Sequence, residues 1–118
     1  MSISDMVEWP AVIRYCGDDE LTYVGSVAEW KRDAESHLYT HQDGNQLIDS
    51  NGFVYNIVSS PWHGFDYEAS DERVTLEDFI RLVRIHASSA HRCCIEKIRF
   101  RSIAEGIELV AGMDDGGT

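Results

Sequence analysis

Several features that mark a known activity or destination are missing from this sequence of 118 residues. It has no run of about 20 apolar residues, so we predict no transmembrane helix. Its start, MSISDMVEWP, lacks the basic and apolar regions of a signal peptide. Glycine-rich phosphate loops, serine nucleophile elbows and paired-cysteine zinc ribbons are also missing. We therefore expect a cytoplasmic protein with no cofactor and no membrane partner, and the sequence favours a non-enzymatic role.

Basic residues are few. Ten lysines and arginines stand against 21 acidic residues, which gives a net charge of -11. Such a surface repels nucleic acids and anionic membranes and attracts basic proteins. A basic protein is therefore the expected partner, and nucleic acid is not. A second interpretation is that the acidic residues keep the protein soluble and occupy turns and helix starts. The oligomeric state does not follow from these features.

The length and composition are those of one globular domain. With 43% hydrophobic and 10% aromatic residues, a chain of this length can bury a core without metal or disulfide staples. We expect a single domain over residues 1–118, with an ordered core over residues 9–112 and loose ends.

A hairpin followed by a capped helix is predicted twice along the chain. The predicted elements are a hairpin over 12–24, a helix over 26–37, a hairpin over 47–58 and a helix over 75–90. Ser26 and Glu29 have the spacing of a capping box. Asn51-Gly52 is typical of a tight hairpin turn, because both residues tolerate positive φ angles.

Two further strands are predicted over 93–100 and 107–111, with a short helical turn over 102–105 as the alternative. Residues 59–73 are predicted to form one long connection. We predict an α+β fold of two layers, with a mainly antiparallel sheet that packs two helices on one face, in the order ββαββαββ. A split sheet with one helix on each side is the alternative.

The long connection is rich in aromatic residues. It contains Trp62, Phe65 and Tyr67, together with His63. Exposed aromatic side chains dominate many interfaces, so these four residues form the predicted partner-binding site. Two alternatives are open: Trp62 and Phe65 close one end of the core, or the connection covers a pocket for a small molecule.

The cysteines suggest a second candidate site. The chain has three cysteines, Cys16, Cys93 and Cys94. Because their number is odd and the sequence shows no signal peptide, we expect them to be reduced thiols. With His91, the pair Cys93-Cys94 forms a candidate metal or thiol site, because imidazoles and thiolates bind zinc and histidine can activate a thiol. The spacing matches no known zinc finger. The alternative is a helix end at which one cysteine packs inward.

Three segments carry a resemblance to a known family. They are WPAVIRYCGDDELTYVGS (9–26), LVRIHASSAHRCCIEKI (82–98) and SIAEGIELV (102–110). They resemble an uncharacterised gammaproteobacterial family, domain of unknown function 4144. The resemblance implies a free-standing bacterial cytoplasmic domain and transfers no catalytic residue. The leading hypothesis is therefore an acidic protein-interaction or regulatory module, with the metal or thiol site and the small-molecule pocket as alternatives.

Overall fold

The computed structural model describes residues 7–15, 20–36, 45–60, 64–89 and 97–115. Within these ranges the elements follow one another as ββαβββαα. The strands are β1 (Ala11–Arg14), β2 (Leu21–Val24), β3 (Gln46–Asp49), β4 (Phe53–Ser60) and β5 (Gly64–Arg73). The helices are α1 (Val27–Ser36), α2 (Leu76–Ser89) and α3 (Ile103–Asp115).

The strands form one antiparallel sheet in the order β2-β1-β3-β4-β5. Ala11 of β1 pairs with Val24 of β2 on one side and with Asp49 of β3 on the other. Strands β4 and β5 form a long hairpin in which Ser60 pairs with Gly64. The predicted α+β class and antiparallel sheet are confirmed.

Helices cover both faces of this sheet. Because side chains alternate along a strand, Ile13 and Leu47 pack on one face with Trp30 of α1. Val12 and Ile48 pack on the other face with residues of α2 and α3. The two helices predicted to share a face, α1 and α2, lie on opposite faces, and α2 shares its face with α3. Helix α1 lies opposite them, so the sheet is the middle of three layers and not one of two.

The two predicted helices begin where their capping signals lie. In α1, the N–H of Glu29 donates to Ser26 Oγ at 3.2 Å, and the Glu29 carboxylate accepts a hydrogen bond from the N–H of Gly25. In α2, the N–H of Asp78 donates to Thr75 Oγ1 at 3.1 Å. These contacts satisfy backbone donors that the first turn of a helix leaves without intrahelical partners.

The hairpin of β3 and β4 turns at the predicted place, but through three residues, 50–52, and not through Asn51-Gly52 alone. Gly52 has a φ of 86°, and its N–H donates to the Asp49 carbonyl at 3.0 Å. The buried Asp49 carboxylate accepts hydrogen bonds from the N–H groups of Asn51 (2.9 Å) and Phe53 (3.0 Å) and from the Tyr55 hydroxyl (3.3 Å). Asp49 therefore holds the turn from inside the fold.

The prediction of one long connection over 59–73 is wrong. Most of this range is the end of β4 and the whole of β5, and residues 61–63 lie outside the described ranges. In the sequence Phe65 and Tyr67 alternate with Asp66 and Glu68, which is the period of a strand. Because residues 64–73 form a strand, the hypothesis of a small-molecule pocket under this connection loses its basis.

The strand predicted over 107–111 is also wrong, because these residues lie in α3. The alternative helical turn over 102–105 marks the start of that helix. The N–H of Glu105 donates to Ser102 Oγ, and the N–H of Gly106 donates to the Ser102 carbonyl, both at 3.1 Å. Of the other predicted strand, residues 93–96 lie outside the described ranges and residues 98–100 form no strand.

Candidate functional site

The structure describes only part of the predicted aromatic contact site. Trp62 and His63 lie outside the described residues, and Phe65 lies in β5. The Tyr67 side chain is only 3% exposed, and its ring meets that of Trp30 edge to face with centroids 5.2 Å apart. Tyr67 therefore belongs to the core under α1 and offers no surface to a partner. For the other three residues partner binding stays a prediction.

The predicted metal or thiol site lies outside the described residues as well. This holds for His91, Cys93 and Cys94, so that site also stays a prediction. Within the described ranges, no group of three histidine, cysteine, aspartate or glutamate side chains could hold a metal ion. The buried His86 has another role: its Nδ1 accepts a hydrogen bond from the N–H of Leu21 at 3.0 Å, which ties α2 to the edge strand β2.

A cleft lies between α2 and the segment that precedes α3. Its volume is about 390 Å³, within the range of ligand pockets. Its walls combine cationic and apolar side chains with one carboxylate: Arg81, Arg84, Arg99, Ile80, Phe100 and Glu77. We call this feature the arginine cleft.

Two elements build the arginine cleft. The residues from α2 are three or four positions apart, a spacing that brings side chains to one face of a helix. Arg84 joins the walls, since its Nε and Nη2 donate to the Ile98 carbonyl at 3.2 and 3.0 Å. Phe100 is 6% exposed and packs edge to face on Phe79 at 5.9 Å between centroids. The cleft therefore has a fixed cation beside a fixed apolar surface.

Arg81 and Arg99 supply the exposed cations of the cleft. Arg81 Nη1 lies 3.7 Å from Asp78 Oδ1, and both side chains are largely exposed. An ion pair of this kind contributes little free energy, so it does not prevent Arg81 from binding another anion. Arg99 makes no ion pair with any residue that the structure describes. Both guanidinium groups are thus accessible to a ligand.

A row of basic side chains continues from the cleft along the segment before α3. Lys97, Arg99 and Arg101 are exposed, whereas Ile98 is half-buried and Phe100 is buried. Lys97 lies in a 3₁₀ turn and Arg101 in a bend, and the backbone between them is irregular. We call Lys97, Arg99 and Arg101 the basic row. Arg99 belongs to both the row and the cleft.

The distribution of charge along the sequence could have revealed this site. Six of the ten basic residues fall within residues 81–101, where Glu96 is the only acidic residue. The rest of the chain carries four basic and twenty acidic residues. The net charge of the whole chain, -11, conceals this segment of opposite sign.

Comparison with known proteins identifies the family. Residues 9–110 match DUF4144, which is described as a protein structure with unknown function. The chain belongs to this family. No curated protein matches the sequence significantly. The fold is similar to that in the NMR structure of a protein from Shewanella amazonensis, with a TM-score of 0.66 and 23% identity over 90% of this chain and 89% of that one.

Membership of DUF4144 confirms the resemblance that three sequence segments indicated. The gammaproteobacterial origin and the cytoplasmic location stay predictions. In the part of the chain that the structure describes, no helix is long and apolar enough to cross a bilayer. At 23% identity the similarity to the Shewanella structure extends to the fold alone. The function of this DUF4144 chain has to be argued from its own side chains.

Proposed function

We propose that this protein is a non-enzymatic binding module and that its arginine cleft binds a negatively charged group. One observation carries the proposal: three arginines line one cleft of a chain whose net charge is -11. Like charges at close range repel each other. A bound anion would offset this repulsion, and among the residues that the structure describes Glu77 is the one acidic residue that lines the cleft.

The chemistry of the lining supports an anion with an apolar part. A guanidinium group offers planar donors that match a carboxylate or a phosphate in two-point geometry. Arg84 is already oriented by the Ile98 carbonyl, so less conformational entropy is lost when a ligand binds. Ile80 and Phe100 provide an apolar surface next to the cations. A ligand with a carboxylate and a hydrophobic group would match both parts.

The exposed acidic residues support a basic partner less strongly than the arginines of the cleft support a negatively charged ligand. Glu68, Asp71 and Glu72 are exposed on β5, which is an edge strand of the sheet. Charged side chains at a sheet edge prevent pairing with other chains, so these residues have a structural explanation. Among the residues that the structure describes, Arg81 has only the exposed ion pair with Asp78, and Arg99 pairs with none. For this reason the proposal rests on the cleft.

The test is an NMR titration of the isotope-labelled protein with citrate, a small carboxylate probe. We expect saturable shifts of the Nε–H signals of Arg81 and Arg99, and their loss in the double variant Arg81→Gln/Arg99→Gln. The matched control is Lys31→Gln/Arg32→Gln, which removes two exposed basic residues of α1 and should keep the shifts at the cleft. Equal shifts at all basic residues, or shifts at the cleft that persist in the first double variant, would refute the proposal.

A further inference from the structure

We infer that the ligand of the arginine cleft is a zwitterion, a free α-amino acid with a large apolar side chain. This inference rests on the proposed function and adds the class of ligand. The carboxylate of the amino acid is the negatively charged group that the arginines bind, and its ammonium group binds Glu77, the carboxylate of the lining. Because three arginines outnumber this one glutamate, a simple anion still binds, but without the contact with Glu77.

Opposite charges lie in the cleft without neutralising each other. Glu77 stands four residues before Arg81, the spacing and the order that favour an ion pair on a helix. Arg81 nevertheless lies beside Asp78, with 3.7 Å between Nη1 and Oδ1. Among the residues that the structure describes, Glu77 forms no ion pair, and neither does Arg99. The cleft therefore presents an accessible carboxylate together with accessible guanidinium groups.

The charges of the cleft are ordered along the axis of α2. Glu77 lies in the first turn of the helix, and Arg81 and Arg84 follow it toward the C-terminal end. At a rise of about 1.5 Å per residue, Arg81 is about 6 Å and Arg84 about 10 Å beyond Glu77 along the axis. A ligand whose ammonium group and carboxylate are bonded to one carbon fits between side chains one turn apart. Its charge-assisted hydrogen bonds to both sides fix its direction in the cleft.

An apolar surface lies beside these charges. Ile80 lines the cleft from α2, between Glu77 and Arg84 in the sequence, and Phe100, which is 6% exposed, lines it from the other element. The volume of about 390 Å³ leaves room for more than two charged groups. Burial of apolar surface supplies free energy that exposed ion pairs alone do not supply. We therefore expect the amino acid to have a large apolar side chain.

Glu77 also has a structural explanation that the experiment must separate from ligand binding. An acidic side chain in the first turn stabilises a helix through its interaction with the helix dipole. Asp78 lies in the same first turn but does not line the cleft. The two residues are therefore a matched pair: loss of either charge affects the helix in a similar way, and only loss of Glu77 should change the selectivity of the cleft.

The experiment is an NMR titration of the isotope-labelled full chain with three probes that share one phenyl group. The first is phenylalanine, the second is phenylpropionate, which lacks the amine, and the third is phenylethylamine, which lacks the carboxylate. We expect phenylalanine to bind about two- to five-fold more tightly than phenylpropionate, the effect of one exposed ion pair. Phenylethylamine should not bind measurably, because the arginines repel its charge. Citrate is titrated in parallel.

Variants assign the contacts. Glu77→Gln should weaken binding of phenylalanine by about two- to five-fold and should not weaken binding of phenylpropionate, so that the two ligands bind alike. Asp78→Asn, the matched control, should keep the ratio of the two Kd values at its wild-type value. Arg99→Gln should weaken both ligands. Arg101→Gln, which removes a cation of the basic row outside the cleft, should change neither Kd. Circular dichroism of each variant confirms that it is folded.

The other outcomes separate this inference from the proposed function. If citrate and phenylpropionate bind at the cleft but phenylalanine binds no more tightly than phenylpropionate, the inference is wrong and the proposed function stands. An equal change of the Kd ratio in Glu77→Gln and Asp78→Asn would also overturn the inference, because the helix dipole would then be the cause. If none of citrate, phenylpropionate and phenylalanine binds at the cleft, both fail.

Discussion

Replacing Gly106 by alanine should destabilise this protein, although alanine is the better helix former. Gly106 lies in α3 where the helix approaches the core. A Cβ atom placed on it would come within 2.6 Å of Phe100 Cζ and 2.9 Å of the Phe79 ring, closer than real Cβ contacts. Both rings are buried, so neither can move away into solvent.

The magnitude follows from two opposing effects. Alanine in place of glycine stabilises a helix interior by about 1 kcal/mol. Overpacking of a well-packed core costs about 1–3 kcal/mol, and Gly106→Ala meets two rings at once. We expect the steric cost to be the larger effect, with a net loss of up to about 2 kcal/mol in the free energy of unfolding, combining both estimates.

Gly112 provides a matched control in the same helix. Apart from its chain neighbours and the backbone of its own helix, no atom of the described residues lies within 4 Å of the position that its Cβ would occupy. Gly112→Ala should therefore show the helix preference alone and gain about 0.5–1 kcal/mol. Urea unfolding of both variants, followed by circular dichroism, measures the two changes against the wild type. The expected changes have opposite signs. If both substitutions stabilise the protein to the same extent, the argument from close packing at Gly106 is refuted.

Two further predictions concern buried polar groups. Burial and the neighbouring Asp49 carboxylate raise the pKa of Tyr55 from 10.0 to about 12. The unfolded chain therefore loses this proton first, and the free energy of unfolding should fall by about 2 kcal/mol between pH 10 and 12. Urea unfolding should show this decline in the wild type and a smaller one in Tyr55→Phe; equal slopes would contradict it. His86→Leu leaves the N–H of Leu21 without its acceptor and should cost about 1–3 kcal/mol. Thermal unfolding should show a smaller loss for His86→Asn, which keeps an acceptor, and equal losses would exclude this hydrogen bond as the cause.

Local signals predicted the parts of the fold that depend on local interactions. The caps at Ser26 and Thr75 and the turn at Asn51-Gly52 act within four residues, so their chemistry is visible in the sequence. Helices α1 and α2 and the hairpin of β3 and β4 follow from them. Ser102 and Glu105 have the same capping spacing at the start of α3. A systematic search for capping boxes would have predicted that helix.

The errors arose where tertiary packing decides between alternatives. Ile107 and Leu109 alternate with polar or smaller residues over a short distance, and a run of this length fits a strand or a helix equally well. In the helix, Gly106 lies close to the buried rings of Phe100 and Phe79, and the contact with Phe79 joins residues that are distant in sequence. Similarly, Ala11, Val12 and Ile13 are all buried, which requires cover on both faces of β1. Consecutive apolar residues in a strand are a sign of such cover.

The net charge did not predict the arginine cleft. It sums the charges of the whole chain, whereas ligand binding depends mainly on the charges close to the site. At physiological salt, charges beyond about 8 Å are largely screened, so a ligand in the cleft responds to Arg81, Arg84 and Arg99 and scarcely to acidic residues on the far side of the molecule. A net charge of -11 therefore predicts solubility and long-range repulsion at low salt, but it does not predict the sign of a binding site. The relevant quantity is the charge of the side chains that share one surface, and here the fold joins a helix and the segment before α3 into one basic surface.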